Sequence, residues 1–187
     1  MRGGTAFDME EDGMRKVLGF AIAVILVGGL GSYTARAAED KGQERYELAE
    51  LLERTKVSLA QGLMASESEG TPISGKFEVE DGKLQLSVYT MRGDKFSEVI
   101  VDHTTGKVAK VETIASGDDL PAAKVQSAAM AAVKSSLGTA VNQAVQANTG
   151  FAAVSVTPSL KEGRQVADVT LINDEGQELK TVSEPLS

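Results

Sequence analysis

The stretch Gly82-Lys-Leu-Gln-Leu-Ser-Val-Tyr-Thr-Met-Arg-Gly-Asp-Lys-Phe-Ser-Glu-Val-Ile-Val-Asp-His-Thr-Thr-Gly-Lys-Val-Ala-Lys-Val-Glu-Thr-Ile114 decides the fold. Leu84, Leu86 and Val88 alternate with Gln85, Ser87 and Tyr89, the period-2 pattern of a strand with one buried and one wet face. Two tight polar turns, Arg92-Gly93-Asp94 and Asp102-His-Thr-Thr-Gly106, divide the stretch into three strands. The pattern predicts an antiparallel sheet.

Working outward, Ile73 to Glu80 reads as a further strand, and Asp81-Gly82 is a two-residue hairpin signal. Upstream, Leu48, Leu51, Leu52, Leu59 and Leu63 form one apolar stripe, which predicts a helix from Gln43 to Met64 ended by Thr71-Pro72. Downstream, Ser116-Gly-Asp-Asp119 is a boundary and cap signal. Val125, Ala129, Val133, Leu137, Val141 and Val145 then predict a second helix from Ala122 to Ala147, with Gly138 as a bend. Strands are expected over Phe151–Thr157, Arg164–Ile172 and Gln177–Val182, with Pro158–Gly163 and Asn173–Gly176 as turns. A shift of 163 − 82 = 81 residues aligns Gly82 with Gly163, Lys83 with Arg164 and Val88 with Val169. The expected class is therefore α+β. Residues 38–115 and 116–187 form two tandem repeats, each a helix packed on a three-stranded antiparallel sheet.

Composition narrows the function. Of 187 residues 42% are hydrophobic, but aromatics are 4% and Trp is absent, so Ala, Val and Leu must fill the core. A net charge of −8 argues against nucleic acid as a partner. Zero Cys excludes disulfides, thiolate zinc sites and Cys nucleophiles, and one His makes a His-dependent triad improbable. No catalytic residue, cofactor or metal site is expected.

Residues 1–37 give the address. Met14-Arg15-Lys16 precedes an apolar run from Val17 to Leu30, and Ala35-Arg36-Ala37 is a small-x-small site. Cleavage after Ala37 leaves 187 − 37 = 150 residues. The alternative is an uncleaved anchor, since residues 17–35 span 19 positions, near the roughly 17–25 needed to cross a bilayer. Asp8, Glu10, Glu11 and Asp12 sit awkwardly ahead of a signal peptide, so translation begins at Met14 or a short cytoplasmic tail precedes the run. Either way the bulk is expected in the periplasm or outside the cell, touching membrane only through residues 17–35 if these remain.

The residues Val88-Tyr89 and Val99-Ile-Val-Asp-His-Thr-Thr-Gly-Lys-Val108 resemble the PepSY domain family, whose pattern is a Val-Tyr strand, a Gly turn, then Val-Asp-x-x-Thr-Gly-x-Val. The resemblance covers about Leu48 to Ile114. Residues 122–186 follow the same element pattern without the Asp-x-x-Thr-Gly signature. It implies a small extracytoplasmic helix-on-sheet module, used in tandem, in inhibitory or peptide-binding roles and without catalytic residues.

Individual motifs have plain readings. Asp102, Thr105 and Gly106 belong to the family-motif turn, where Asp102 caps backbone N–H groups and Gly106 takes positive φ; a metal or acid–base site at Asp102-His103 would need partners that turn chemistry does not. Arg92-Gly93-Asp94 matches an adhesion tripeptide but reads as a hairpin turn, and Asn173–Gly176 lacks the ligand spacing of a calcium loop. Glu44, Glu47, Glu50 and Glu53 form an acidic band, read as a solvated face, with docking of a basic partner as the alternative. Tyr89 points away from Leu86 and Val88 and marks either an exposed binding face or, by preference, the interface between the repeats. The chain is accordingly expected to be a non-enzymatic exported module that binds an envelope protein or peptide and restrains an exported protease. The alternative is a membrane-tethered periplasmic accessory subunit.

Overall fold

The computed structural model describes residues 34–80, 82–131, 133 and 135–186, with side chains from residue 42 onward. The expected cleavage or anchor segment 17–35 lies almost wholly outside the described residues. Among the described residues, no helix is long and apolar enough to cross a membrane.

The protein is α+β. Four helices, α1 (Thr34–Leu52), α2 (Leu59–Ser66), α3 (Asp119–Met130) and α4 (Leu137–Ala147), accompany seven strands. These are β1 (Thr71–Glu80), β2 (Lys83–Arg92), β3 (Lys95–Val101), β4 (Val108–Ile114), β5 (Phe151–Lys161), β6 (Arg164–Asn173) and β7 (Leu179–Pro185). All pair antiparallel in one sheet ordered β4-β3-β2-β1-β5-β6-β7. This corrects the expectation of a three-stranded sheet in each half. The first half supplies four strands, the second three, and they join where Gly75 pairs with Val156 and Lys76 with Ser155.

Both long helices anticipated from the stripes are broken. Ser58 starts α2 with a reciprocal capping box, its side chain accepting from the Gln61 N–H while Gln61 accepts from the Ser58 N–H. Ser136 caps α4 without the reciprocal bond, its side chain accepting from the Thr139 N–H at 3.2 Å. A serine before an apolar helical turn thus outcompetes continuation of the helix, because it satisfies N–H groups that a fresh start leaves bare. The second break lies at 131–136, just before Gly138. Val125, expected on the core stripe, is 67% exposed, and Asp119, Ala123, Gln126 and Ala129 are the residues α3 buries. Strand β5 also runs on through Pro158, expected to be a turn, because its contact with β1 ends at Val156 and the missing N–H falls where β5 has a neighbour on one side only.

One face of the sheet carries the main core. Leu59 and Leu63 of α2 and Leu137 and Val141 of α4 pack against Leu86, Val88, Val99, Val101, Val156, Val169 and Leu171. Burying each such leucine contributes roughly 1.5–3 kcal/mol. The leading helices each reach strands of both halves, α3 lying against β5 and β1, and α1 against β1 and β2 as well as Val154 and Ile172. Ala123 of α3 packs with Ile73, Tyr89, Phe96 and Ile114 of the first half, whereas Ala49 of α1 packs with Val154 and Ile172 of the second. Ile73 and Val154 are each the extra residue of a bulge in β1 and β5, 154 − 73 = 81 positions apart.

Candidate functional site

The Asp102–Gly106 turn connects β3 to β4 and is built as its residues dictate. Asp102 Oδ1 accepts from the Thr105 and Thr104 N–H groups, both at 2.8 Å, and these bonds, Thr105's first, hold its carboxyl below the ordinary carboxylate range. Gly106 has φ +71°, which lets its N–H reach the Asp102 carbonyl at 2.8 Å. The turn's outer surface has a use that the motif alone does not disclose. The His103 carbonyl accepts from the Thr55 hydroxyl at 2.8 Å and from the Lys56 N–H at 3.0 Å. It therefore pins the extended connection between α1 and α2, and Val57 is buried beside Gly106.

Tyr89 is 2% exposed and lies under α3, with its hydroxyl donating to the Asp119 carboxylate in that helix's first turn. Burial first, then Asp119, raises the phenol's pKa well above its usual value. Tyr89 is thus buried between strand β2 and helix α3. Nearby, Ser74 Oγ donates to Gln126 Oε1 at 2.8 Å, both residues being buried. The rest of this sheet face is polar. Ser87 donates to Glu78 at 3.1 Å, Lys76 pairs with Glu78, and Glu98 is half-buried, its pKa raised first by desolvation and then by Glu78, Asp119 and Glu112 despite a hydrogen bond from Ser87. Further along, Asp168 accepts from Ser159, Lys161 and Ser183 at 2.5–2.8 Å. Burial alone would raise its pKa, but those three bonds outweigh it and lower the value.

The remaining motifs take the places their turn chemistry allows. Arg92 donates to the Ser68 carbonyl at the end of α2, and Gly93 occupies the turn. Asn173 accepts from the Glu178 N–H at 2.8 Å, closing its turn with a side chain. Glu44, Glu47, Glu50 and Glu53 all face solvent, with Glu50 paired to Arg54 at 3.2 Å. Among the described residues, no group of three or more His, Cys, Asp or Glu is placed to hold a metal.

What the sequence did not reveal is a groove of about 590 Å³ between α2, α4, the start of β1 and the α3–α4 connection. Its wall is Leu63, Met64, Met91, Met130, Val133 and Leu137, with Glu67, Thr71, Ser136 and Asn142 at its polar margin. Met64 is 64% exposed there. The methionines come from α2, β2 and α3, so no sequence spacing announces them. A smaller cavity of about 240 Å³ sits where α4 and the start of β5 meet the α1–α2 connection. There Val57 fills space next to the Ser58 cap, whereas Ser135 stands next to the Ser136 cap at the larger groove.

No family model and no curated protein matches the chain. Among solved structures, a "putative lipoprotein" from Clostridium difficile 630 is similar at 13% identity and a TM-score of 0.33, covering 70% of this chain and 95% of that one. A likeness that distant establishes neither a shared fold nor a shared role.

Proposed function

We propose that this chain is an exported, non-enzymatic binding module of two PepSY-like repeats that holds an apolar segment of another envelope protein. Restraint of an exported protease is the use that fits the family resemblance. The observation that supports binding is the 590 Å³ groove, an apolar wall with three methionines and a polar margin. Unbranched thioether side chains adapt to varied apolar surfaces, and a concave apolar site with few polar groups suits a ligand side chain or short segment. The tandem reading is supported by the constant 81-residue offset of Ile73 and Val154, Gly75 and Val156, and Val88 and Val169, with β4 as an addition to the first repeat.

A photo-crosslinking amino acid placed at Met64 in growing cells tests the reading. Adducts with one exported protein are expected from that position and not from exposed Val125 on α3. Equal labelling at both positions, or none at Met64, refutes it.

A second reading, a membrane-tethered accessory subunit, is favoured by α1 itself. The helix is already formed at Thr34 and runs through Ala35-Arg36-Ala37, the expected cleavage site, which a signal protease must receive extended. Carbonate extraction separates the two readings, because a tethered subunit stays in the pellet.

A further inference from the structure

The two ends of the sheet are not equivalent. In the first half Val88 pairs with Val99 of β3, and β3 is covered on its outer side by β4 through Val99–Val111. In the second half Val169, 169 − 88 = 81 residues on, pairs with Val182 of β7, and there the sheet ends. Among the described residues, strand β7 is thus the counterpart of β3 without its cover.

The outward groups of β7 follow from its bonds to β6. The Leu186 N–H bonds the Gln165 carbonyl and the Asn173 N–H bonds the Glu178 carbonyl, at the two ends of one continuous register. In an antiparallel ladder bonded pairs recur every second residue, so Lys180, Val182 and Glu184 spend their backbone groups on β6. Thr181 and Ser183 therefore direct N–H and C=O outward, and Pro185, at the end of the strand, presents only a carbonyl.

We propose that the β7 edge joins a second copy of this chain, antiparallel and centred on Val182. That pairing sets Thr181 opposite the second copy's Ser183, and each such pair exchanges two backbone hydrogen bonds. It also sets Lys180 opposite Glu184, and Glu184 opposite Lys180, on the face that carries Val182. These side chains lie on one face, because burial alternates along β7 with 180, 182 and 184 the more covered set. Within one chain Lys180 lies 3.6 Å from the centroid of the Phe151 ring and makes no ion pair with Glu184. The charge order is thus self-complementary only when the strand meets its own copy. Edge β4 offers a similar order around Val111, but there Lys110 and Glu112 already pair with each other at 2.7 Å. The second copy extends the sheet from seven strands to fourteen through one isologous contact.

Disulfide trapping on the full chain in mild detergent tests this, since the protein has no cysteine of its own. At the centre of the pair the two Val182 positions form a non-hydrogen-bonded pair, whose Cα separation of about 4.5 Å lies within disulfide reach. With a copper–phenanthroline oxidant, Val182→Cys is expected to form covalent dimer about tenfold faster than Val111→Cys, the size of two cross-strand ion pairs. Adding Glu184→Lys to Val182→Cys slows trapping to the Val111→Cys rate, and adding Lys180→Glu as well restores it. Trapping no faster at Val182→Cys than at Val111→Cys overturns the proposal, as does failure of the charge swap to restore the rate.

Discussion

Gly75 lies directly opposite Val156 in the pairing of β1 with β5, and the two are 156 − 75 = 81 residues apart, the offset that also relates Gly82 to Gly163. This pairing joins the two halves at the centre of the sheet. A Cβ on Gly75 would stand 3.1 Å from Leu63 Cδ2, so the glycine also lets α2 lie close on the sheet beside that junction. Helices α1 and α3 each reach strands of both halves beside that junction.

Leu63 fills the space above Gly75 and is 2% exposed. Leu63→Ala is expected to lower the unfolding free energy by about 3 kcal/mol, the transfer loss plus the cavity that a glycine floor cannot close. Urea unfolding measures it. A loss below about 1 kcal/mol would show that α2 can settle onto the sheet.

Because α1 and α3 each pack on strands of both halves, neither half is expected to stand alone. Residues 34–115 without α3 would expose Ile73, Tyr89, Phe96 and Ile114, and residues 116–187 without α1 would expose Val154 and Ile172. Each fragment is expected to give the collapsed amide spectrum of an unfolded or aggregated chain, and mixing them to restore dispersion. A well-dispersed spectrum from a lone fragment contradicts that shared packing.

The connection between α1 and α2 is held by one carbonyl. Thr55→Val removes the 2.8 Å bond to His103 while keeping the side chain's size, and is expected to cost about 1 kcal/mol. Hydrogen exchange at the Lys56 amide, bonded to the same carbonyl, should quicken along with it. Unchanged exchange would mean that Val57 alone holds the segment.

Two carboxyls on the polar sheet face titrate with opposite signs. Glu98 has a raised folded pKa, so the stability it contributes is present in acid and is lost as pH rises through that value. Glu98→Gln should therefore stabilise the protein at neutral pH, with no gain in acid. Asp168 has a lowered folded pKa, so its contribution is present above the ordinary carboxylate range and is lost as pH falls through the lowered value. Asp168→Asn should destabilise at neutral pH, and the difference should vanish in strong acid. Thermal midpoints of both variants from pH 2 to 8, the span covering ordinary carboxyl titration, check the signs. A stabilising Asp168→Asn or a destabilising Glu98→Gln at neutral pH reverses the account.

Strands and turns were legible in the chain because they depend on neighbours in sequence. The wet face expected of β2 was not found, since Ser87 and Tyr89 are buried along with Leu86 and Val88, with α3 packed over Tyr89. Leu84, Leu86 and Val88 are buried as their spacing requires, and the Asp102–Gly106 turn carries the bonds that its side chains invite. The helix breaks at 53–58 and 131–136 were less legible, since the apolar stripe continues across both. Ser58 with Gln61, and Ser136 with Thr139, were the available signals. The groove was not legible at all, because Met64, Met91 and Met130 meet only after three elements pack.

Sequence alone determined the α+β class, the strand positions and the motif turn, all set by local periodicity and by side chains bonding their own backbone. Tertiary structure decided that two halves share one sheet and that Tyr89 is sealed by a helix from the other half. Those outcomes depend on long-range pairing such as Gly75 with Val156, where the free energy comes from burying surfaces that lie far apart in the chain.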